Sequence, residues 1–280
     1  MNKVVILGIF YSGYKDVWHD FVNLFKQNWP NCPFDLYIVA DTDGVDSFEG
    51  LPVINCGIDS EYSNKIQTAI KNIDADYYLI LLEDFFFGST VSDEKVSTII
   101  DFIVENKINY YSMPMPDFSN NYKGKRIDKK RREISSKADY TLSCQPSFWK
   151  KDFLKVAIGT SNYNAWVFEG IYRKSKKAHS AVFLKGCVAD LSNPLNLRHG
   201  VLQGCFIPDT LKYFHEKKYT FISKRDVLSH KEYKKNKLKI FLRGIMPYKL
   251  QRIVRRVFKR KSIVNKYDSI IDERIKEMGL

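Results

Sequence analysis

The stretch Leu79-Ile80-Leu81-Leu82-Glu83-Asp84-Phe85-Phe86-Phe87 is an apolar run that ends in two adjacent carboxylates and continues as three aromatic residues. A strand inside a parallel sheet is apolar on both faces, so acidic residues at its end need a partner. In open α/β sheets, ligands bind at the carboxyl ends of the strands. Glu83 and Asp84 therefore indicate either a ligand site or a turn that is capped or ion-paired with a surface lysine.

Apolar runs and helical spacing alternate along the first part of the chain. The runs predict strands at 4–10, 34–40, 53–56 and 77–82. Apolar residues at helical spacing predict helices around 18–25 and 62–73. This order predicts an α/β fold with a mostly parallel sheet flanked by helices.

The pattern is less regular after residue 90. Basic residues dominate 122–137, and this segment is predicted to be a mobile loop. The other predicted elements are a helix around 96–103, a strand at 110–113, a strand at 138–145, a helix at 149–157, a helix at 164–177, a strand at 181–184 and a turn-rich segment at 190–204.

Charge divides the chain into two parts. The formal net charge is +13, and residues 231–262 hold thirteen Lys or Arg against one acid, Glu232. We therefore predict one domain at 1–230 and a basic helical tail at 231–280. Within 237–261, apolar residues recur every three to five positions, which predicts a pair of amphipathic helices broken at Pro247.

Such a tail suits an anionic membrane surface, although it could also pack on the domain with its basic face in solvent. No nucleic-acid-binding motif accompanies the charge, so we expect no nucleic-acid partner. The five cysteines form no Cys-x-x-Cys pair, which argues against a disulfide framework or zinc site and favours a reducing cytosol.

Several motifs together resemble one enzyme family. They are Val4-Val5-Ile6-Leu7, Asp41 after the second strand, the acidic strand end at 83–84, and Trp166-Val167-Phe168-Glu169. In order and type they resemble the GT-A-fold glycosyltransferases, in particular the family 2-like sugar transferases of bacterial capsule and lipopolysaccharide clusters. The resemblance covers about residues 3–230 and implies a GT-A-like, Rossmann-like fold.

The family likeness implies a donor site at the strand ends. Asp41, with Asp43, would contact the nucleotide base or ribose. Glu83 and Asp84 take the place of the family's Asp-x-Asp element, but here the acids are adjacent. Adjacent strand side chains point to opposite faces, so we predict that Asp84 binds Mn²⁺ or Mg²⁺ while Glu83 contacts ribose or anchors the turn.

Further donor contacts are predicted from position. Tyr11 follows the first strand, and Asn64 and Lys65 open the helix after the third strand. Lys65 could instead lie on a solvated helix face. His199, in a late loop where related enzymes place groups for the metal or diphosphate, is predicted to be a second metal ligand or a structural histidine.

The likeness also implies an acceptor side. Glu169 matches the family's catalytic base, because an acceptor hydroxyl is a poor nucleophile until a carboxylate takes its proton. Arg173 lies one helical turn later and could orient Glu169 or reach a phosphate; alternatively the two form a surface ion pair. Gln145 and Trp166 are predicted to line the acceptor pocket, although Gln145 could simply belong to a turn.

The resulting hypothesis is an inverting glycosyltransferase of surface polysaccharide biosynthesis. Its partners would be a nucleoside-diphosphate sugar, with UDP favoured, and a lipid-linked saccharide at the inner face of the cell membrane, where a cytoplasmic enzyme would associate peripherally. One alternative is a non-catalytic membrane-surface or scaffold protein with the same fold. Another is a sugar-phosphate nucleotidyltransferase, which the lack of a glycine-rich loop after the first strand disfavours.

Overall fold

The computed structural model describes residues 2–116, 122, 124–245 and 266–280. Its strands, in chain order, are β1 (Val4–Phe10), β2 (Leu36–Ala40), β3 (Ser47–Phe48), β4 (Leu51–Asn55), β5 (Tyr77–Leu82), β6 (Phe85–Phe87), β7 (Tyr110–Ser112), β8 (Arg131–Glu133), β9 (Ser147–Lys150), β10 (Cys187–Asp190), β11 (Leu197–His199), β12 (Val201–Leu202) and β13 (Cys205–Phe206).

The helices surround these strands. They are α1 (Lys15–Asn28), α2 (Tyr62–Asn72), α3 (Asp93–Glu105), α4 (Lys151–Ile158), α5 (Ala165–Lys174), α6 (Pro208–Glu216), α7 (His230–Ile245) and α8 (Asp268–Glu277). Short 3-10 helices occupy Ser12–Tyr14 and Lys177–His179. Among the described residues, no helix is long and apolar enough to cross a bilayer.

Nine strands form one sheet in the order β3-β4-β2-β1-β5-β9-β7-β10-β8. The pairs β2–β4, β1–β2, β1–β5 and β7–β10 are parallel, whereas β9 runs antiparallel to both β5 and β7. The predicted α/β class and mostly parallel sheet are confirmed. The carboxyl ends of β1, β2 and β5 consequently meet at one edge of the sheet.

All seven residues of β1 are buried, because helices cover both sides of the strand. Its side chains alternate between two cores. Ile6 and Phe10 join the core beneath α1 and α3, while Leu7 and Ile9 join the core beneath α2 and α5. This burial on both faces explains why the strand sequence is continuously apolar.

Two predicted strands are wrong. The segment 138–145 is irregular, and the strand lies at β9 instead, so the helix predicted from 149 begins at Lys151. Ser143 and Cys144 donate their backbone N–H groups to the Tyr110 hydroxyl and the Glu169 carboxylate, not to a neighbouring strand. The strand predicted at 181–184 is a turn, and β10 follows it.

The basic segment predicted to be a mobile loop contains β8, which pairs antiparallel with β10 at the edge of the sheet. The amphipathic helix pair predicted over 237–261 lies mostly outside the described residues, which end at 245 and resume at 266. The last helix, α8, packs against α5 of the main domain, so the end of the predicted tail returns to the body of the protein.

Candidate functional site

A closed charged pair lies where β1 and β2 end. The Asp41 carboxylate accepts hydrogen bonds from the Ser12 backbone N–H (3.0 Å) and hydroxyl (2.7 Å), and from Lys65 Nζ (2.9 Å). Lys65 also donates to the carbonyl of Phe10 at 2.7 Å. Both charged side chains are buried, so the alternative of a solvated Lys65 is wrong. Burial raises the pKa of Asp41, but Ser12 and Lys65 outweigh it and the net pKa is lowered.

Glu83 lies in the turn between β5 and β6 and is buried, with 5% of its surface exposed. Its carboxyl group accepts the Tyr11 backbone N–H at 3.3 Å. Burial, reinforced by the neighbouring charge of Asp84, raises the pKa of Glu83 to about 8. This arrangement favours the alternative in which Glu83 anchors the turn, because little of the group can reach a ligand.

Asp84 points to a different set of partners. Its Oδ2 lies 3.1 Å from Nε2 of His199, and its carbonyl accepts the N–H of Gly200 at 2.7 Å. The pairing follows from the sheet between β6 and β11, where His199 stands opposite Phe85. Within the described residues, Oδ1 of Asp84 is buried and has no hydrogen-bond partner. The two predicted metal ligands are therefore adjacent, and one carboxylate oxygen is available.

These residues fit a divalent cation that also binds a diphosphate. Mg²⁺ and Mn²⁺ sites commonly use one or two protein ligands and complete the shell with substrate phosphates and water. Across 2–116, 122, 124–245 and 266–280, no group of three or more His, Cys, Asp or Glu side chains could hold a metal by itself. Asp84 and His199 could hold the cation only together with a ligand.

The predicted base, Glu169, lies in the second turn of α5. The Asn164 side chain caps this helix by accepting the Val167 N–H at 3.1 Å. Glu169 is partly buried and accepts the Cys144 N–H at 3.2 Å. Burial raises its pKa, while that N–H, Arg173 and His199 oppose the rise. Cys144 lies just before β9, which begins opposite Ile80 near the carboxyl end of β5, so this hydrogen bond holds Glu169 towards the sheet edge that carries Asp84.

Arg173 does not form the surface ion pair with Glu169 that was the alternative to its predicted role in the site. Its guanidinium lies 3.4 Å from the Asp139 carboxylate, donates to the Tyr140 hydroxyl at 3.3 Å and stacks over that ring. Only 11% of the side chain is exposed. Arg173 therefore ties α5 to the irregular segment at 138–145 and influences Glu169 through its charge.

The other predicted residues differ in accessibility. Tyr11 and Trp166 are half exposed and Asp43 is exposed, so each could contact a ligand. Asn64 accepts a hydrogen bond from Thr68 within its own helix. Gln145 accepts the Met115 N–H at 3.0 Å, which supports its turn alternative.

Two residues near the site were not predicted from sequence. The Tyr14 ring lies 5.9 Å from the ring of Tyr11, and burial, followed by the charges of Asp84 and Glu83, raises its pKa. Arg225 stacks 3.9 Å from the Tyr14 ring centroid and pairs with Asp16 at 2.6 Å. Tyr14 could have been predicted from sequence, because it lies in the turn that follows β1 at the ligand-binding edge of the sheet. Arg225 is distant in the chain, and no sequence pattern marks it as part of the site.

No protein-family model matches the chain. No curated protein matches it either. Solved structures with a distant likeness include S. aureus TarS, which is 16% identical with a TM-score of 0.40 and matches over 62% of this chain and 33% of TarS. The chain thus spans about a third of TarS.

Two other solved structures show a similar likeness. A UDP-glucose pyrophosphorylase complexed with UDP-glucose is 11% identical with a TM-score of 0.43, over 68% of this chain and 90% of its own. Mannosyl-3-phosphoglycerate synthase from Rubrobacter xylanophilus is 13% identical with a TM-score of 0.41, over 67% of this chain and 65% of its own. Likenesses this distant assign no residue role to this chain.

Proposed function

We propose that this chain is a metal-assisted glycosyltransferase that moves a sugar from a nucleoside-diphosphate donor, with UDP favoured, to a saccharide acceptor. The observation that carries the proposal is the contact between Asp84 and His199, in which Oδ1 of Asp84 has no hydrogen-bond partner among the described residues; we call these two residues the open pair. Glu169 is held through Cys144 towards the same edge of the sheet, so a candidate cation site and a candidate base lie at one edge.

The donor half of the proposal rests on the ends of β1, β2 and β5. The nucleoside would lie along the turn after β1, where Tyr11 is half exposed and Asp43 is accessible. The buried pair of Asp41 and Lys65 fixes the shape of that turn through Ser12. When bound by Asp84 and His199, Mn²⁺ or Mg²⁺ would supply Lewis-acid stabilisation of the departing diphosphate.

The acceptor half rests on α5. A carboxylate with a raised pKa is a stronger base towards an acceptor hydroxyl. The Cys144 N–H holds Glu169 on one side, and the exposed Trp166 on the same helix offers a surface on which a sugar ring can pack. We propose the inverting outcome, in which Glu169 takes the proton of the acceptor hydroxyl as that hydroxyl attacks the sugar from the face opposite the leaving diphosphate.

We further propose that the acceptor is a lipid-linked saccharide of bacterial surface polysaccharide biosynthesis and that the enzyme acts at the inner face of the cell membrane. The thirteen basic residues of 231–262 support this proposal, because clustered Lys and Arg attract anionic lipid headgroups. Sedimentation with vesicles containing phosphatidylglycerol, compared with neutral vesicles, tests it. Equal binding to both kinds of vesicle would contradict it.

The first test is ligand-dependent thermal stability. UDP, GDP, CDP and dTDP are each added with and without Mn²⁺, and we expect one nucleotide to raise the melting temperature only when the metal is present. The corresponding sugar nucleotide is then used for transfer assays. Synthesis of a sugar nucleotide from a nucleoside triphosphate and a sugar phosphate would instead identify a nucleotidyltransferase.

The second test is the Glu169→Gln variant. Removal of the base should lower kcat by roughly 10²–10⁴-fold while nucleotide binding persists. Glu105→Gln is the matched control, since that carboxylate is exposed at the end of α3. Unchanged transfer by Glu169→Gln would remove Glu169 from the mechanism.

A further inference from the structure

Gly170, the residue after the candidate base, occupies an unusual place in the middle of α5. Glycine is unfavourable in a helix interior relative to alanine, because it loses more backbone entropy on folding. A Cβ atom at this position would lie 2.3 Å from Cδ1 and 2.9 Å from Cγ1 of Ile271. The Ile271 side chain therefore occupies the space that a Cβ atom at position 170 would need, and any larger residue there would have to displace it.

Ile271 is completely buried in this contact. Ion pairs flank it, since Lys174 of α5 lies 2.7 Å from Asp272 and 3.5 Å from Asp268 of α8. At the other end of α8, Arg274 donates to the Ser161 hydroxyl at 2.8 Å, in the loop that leads into α5. The apolar contact and the polar contacts together hold α8 along α5.

The docked helix supports α5 without covering Glu169. Successive residues of an α-helix are about 100° apart around its axis, so Gly170 and Glu169 face different directions. Glu169 accepts the Cys144 N–H, whereas Gly170 meets Ile271. The same turn of α5 is thus held by the irregular segment on one face and by α8 on another.

We propose that α8 is a positioning element of the active site and that Ile271, through Gly170, sets the position of the α5 turn that carries Glu169. The inference rests on the proposed function of Glu169 as the base. It assigns to α8 a positioning role in the reaction, exerted through the buried side chain of Ile271.

The principal test compares two neighbouring isoleucines of α8 in the full chain. Ile271→Ala removes the buried contact, and Ile270→Ala is the matched control because Ile270 is 37% exposed. A small misplacement of a reacting group can cost up to about 10²-fold, so we expect Ile271→Ala to lower kcat roughly 10–100-fold. The donor KM and the nucleotide-induced thermal shift should stay at wild-type values, and Ile271→Val should recover most of kcat.

Hydrogen exchange measures the same contact without using activity. In Ile271→Ala, amide exchange within residues 165–174 should accelerate by about tenfold or more, because loss of packing favours local opening. Exchange within β1 and β5 should not change, and the Ile270→Ala protein should resemble the wild type. Unchanged exchange in α5 of Ile271→Ala would overturn the proposal.

A double-mutant cycle tests the close approach itself. Gly170→Ala alone should lower kcat, because the added methyl group displaces the Ile271 side chain from its contact with α5. In the Ile271→Ala background the same methyl group enters vacated space, so the double variant should have a higher kcat than additivity predicts. Strict additivity would contradict a direct contact between these positions.

The results of these experiments distinguish the proposed glycosyltransferase function from the proposed positioning role of α8. A wild-type protein that binds nucleotide but transfers no sugar would refute the proposed function, while hydrogen exchange still decides whether α8 stabilises α5. Faster exchange in α5 of Ile271→Ala with an unchanged kcat, in a wild type that transfers sugar, would refute the positioning role alone.

Discussion

Two aspartates at the same edge of the sheet have opposite surroundings. Both oxygens of Asp41 are used, by Ser12 and by Lys65, and the side chain is 4% exposed. Asp84 is 15% exposed and has one oxygen bonded to His199, whereas its other oxygen has no hydrogen-bond partner among the described residues.

This difference separates a structural carboxylate from a candidate ligand. A buried carboxylate that has a cation partner and both oxygens bonded stabilises its local geometry and has little capacity left for a substrate. A carboxylate with an unused oxygen beside a histidine retains that capacity. Residue type and strand-end position are the same for the two acids, so the contacts around them make the distinction.

The largest expected effect comes from breaking the closed pair. Lys65→Met leaves Asp41 buried without its cation, which typically costs about 3–5 kcal/mol of unfolding free energy. Urea denaturation measures the loss. Lys71→Met, an exposed position on the same helix, is the control and should change stability by less than about 0.5 kcal/mol. Similar losses in both variants would show that the Asp41–Lys65 pair is not structural.

The next largest effect is expected at the open pair of Asp84 and His199. Asp84→Asn keeps the size of the side chain but removes its charge, so the transition state loses several kcal/mol of stabilisation and transfer falls roughly 10³-fold. The Mn²⁺-dependent thermal shift with nucleotide should disappear while the metal-free melting temperature changes little. The matched control is Asp59→Asn, on an exposed loop. Wild-type transfer by Asp84→Asn would end its assignment as a metal ligand.

A third, smaller effect should appear as a pH dependence of stability. The pKa of Glu83 is raised from 4.5 to about 8 by burial and by the charge of Asp84. Between these values the folded protein holds a proton that the unfolded chain has released, so wild-type stability falls as pH rises, by at most about 1.4 kcal/mol per pH unit.

Glu83→Gln should remove that decline, because the amide does not titrate. Chemical denaturation from pH 5 to about 8 in the presence of EDTA measures it, with Glu105→Gln as the control. Parallel wild-type and Glu83→Gln curves over this range would contradict the raised pKa.

The smallest effect is expected at Asp43, which is exposed beyond the closed pair. If its carboxylate accepts a single hydrogen bond from the nucleoside, Asp43→Ala should weaken nucleotide binding by about 0.5–1.5 kcal/mol. Isothermal calorimetry measures the change, and Asp46→Ala in the same exposed loop is the control. Equal affinity for wild type and Asp43→Ala would exclude this contact.

Sequence patterns closely predicted residues 4–82, from β1 to β5 with the helices between them, except for the short strand β3. Continuous apolar runs and helical spacing are local signals, and they are strong where both faces of the sheet are covered. The patterns failed at 138–145 and 181–184. In the first of these, backbone N–H groups bond to Tyr110 and Glu169, which are distant in sequence, and local composition carries no trace of such partners.

The sequence by itself determined the α/β class, the acidic end of β5 and the basic charge of 231–262. Buried strands appear as runs of consecutive apolar residues, and net charge follows directly from composition. Only the tertiary structure decided that Lys65 forms an ion pair with Asp41, that the Asp84 carboxylate contacts His199, and that Ile271 packs on Gly170. These contacts join residues far apart in the chain, and whether a side chain is paired or available depends on packing that no local pattern encodes.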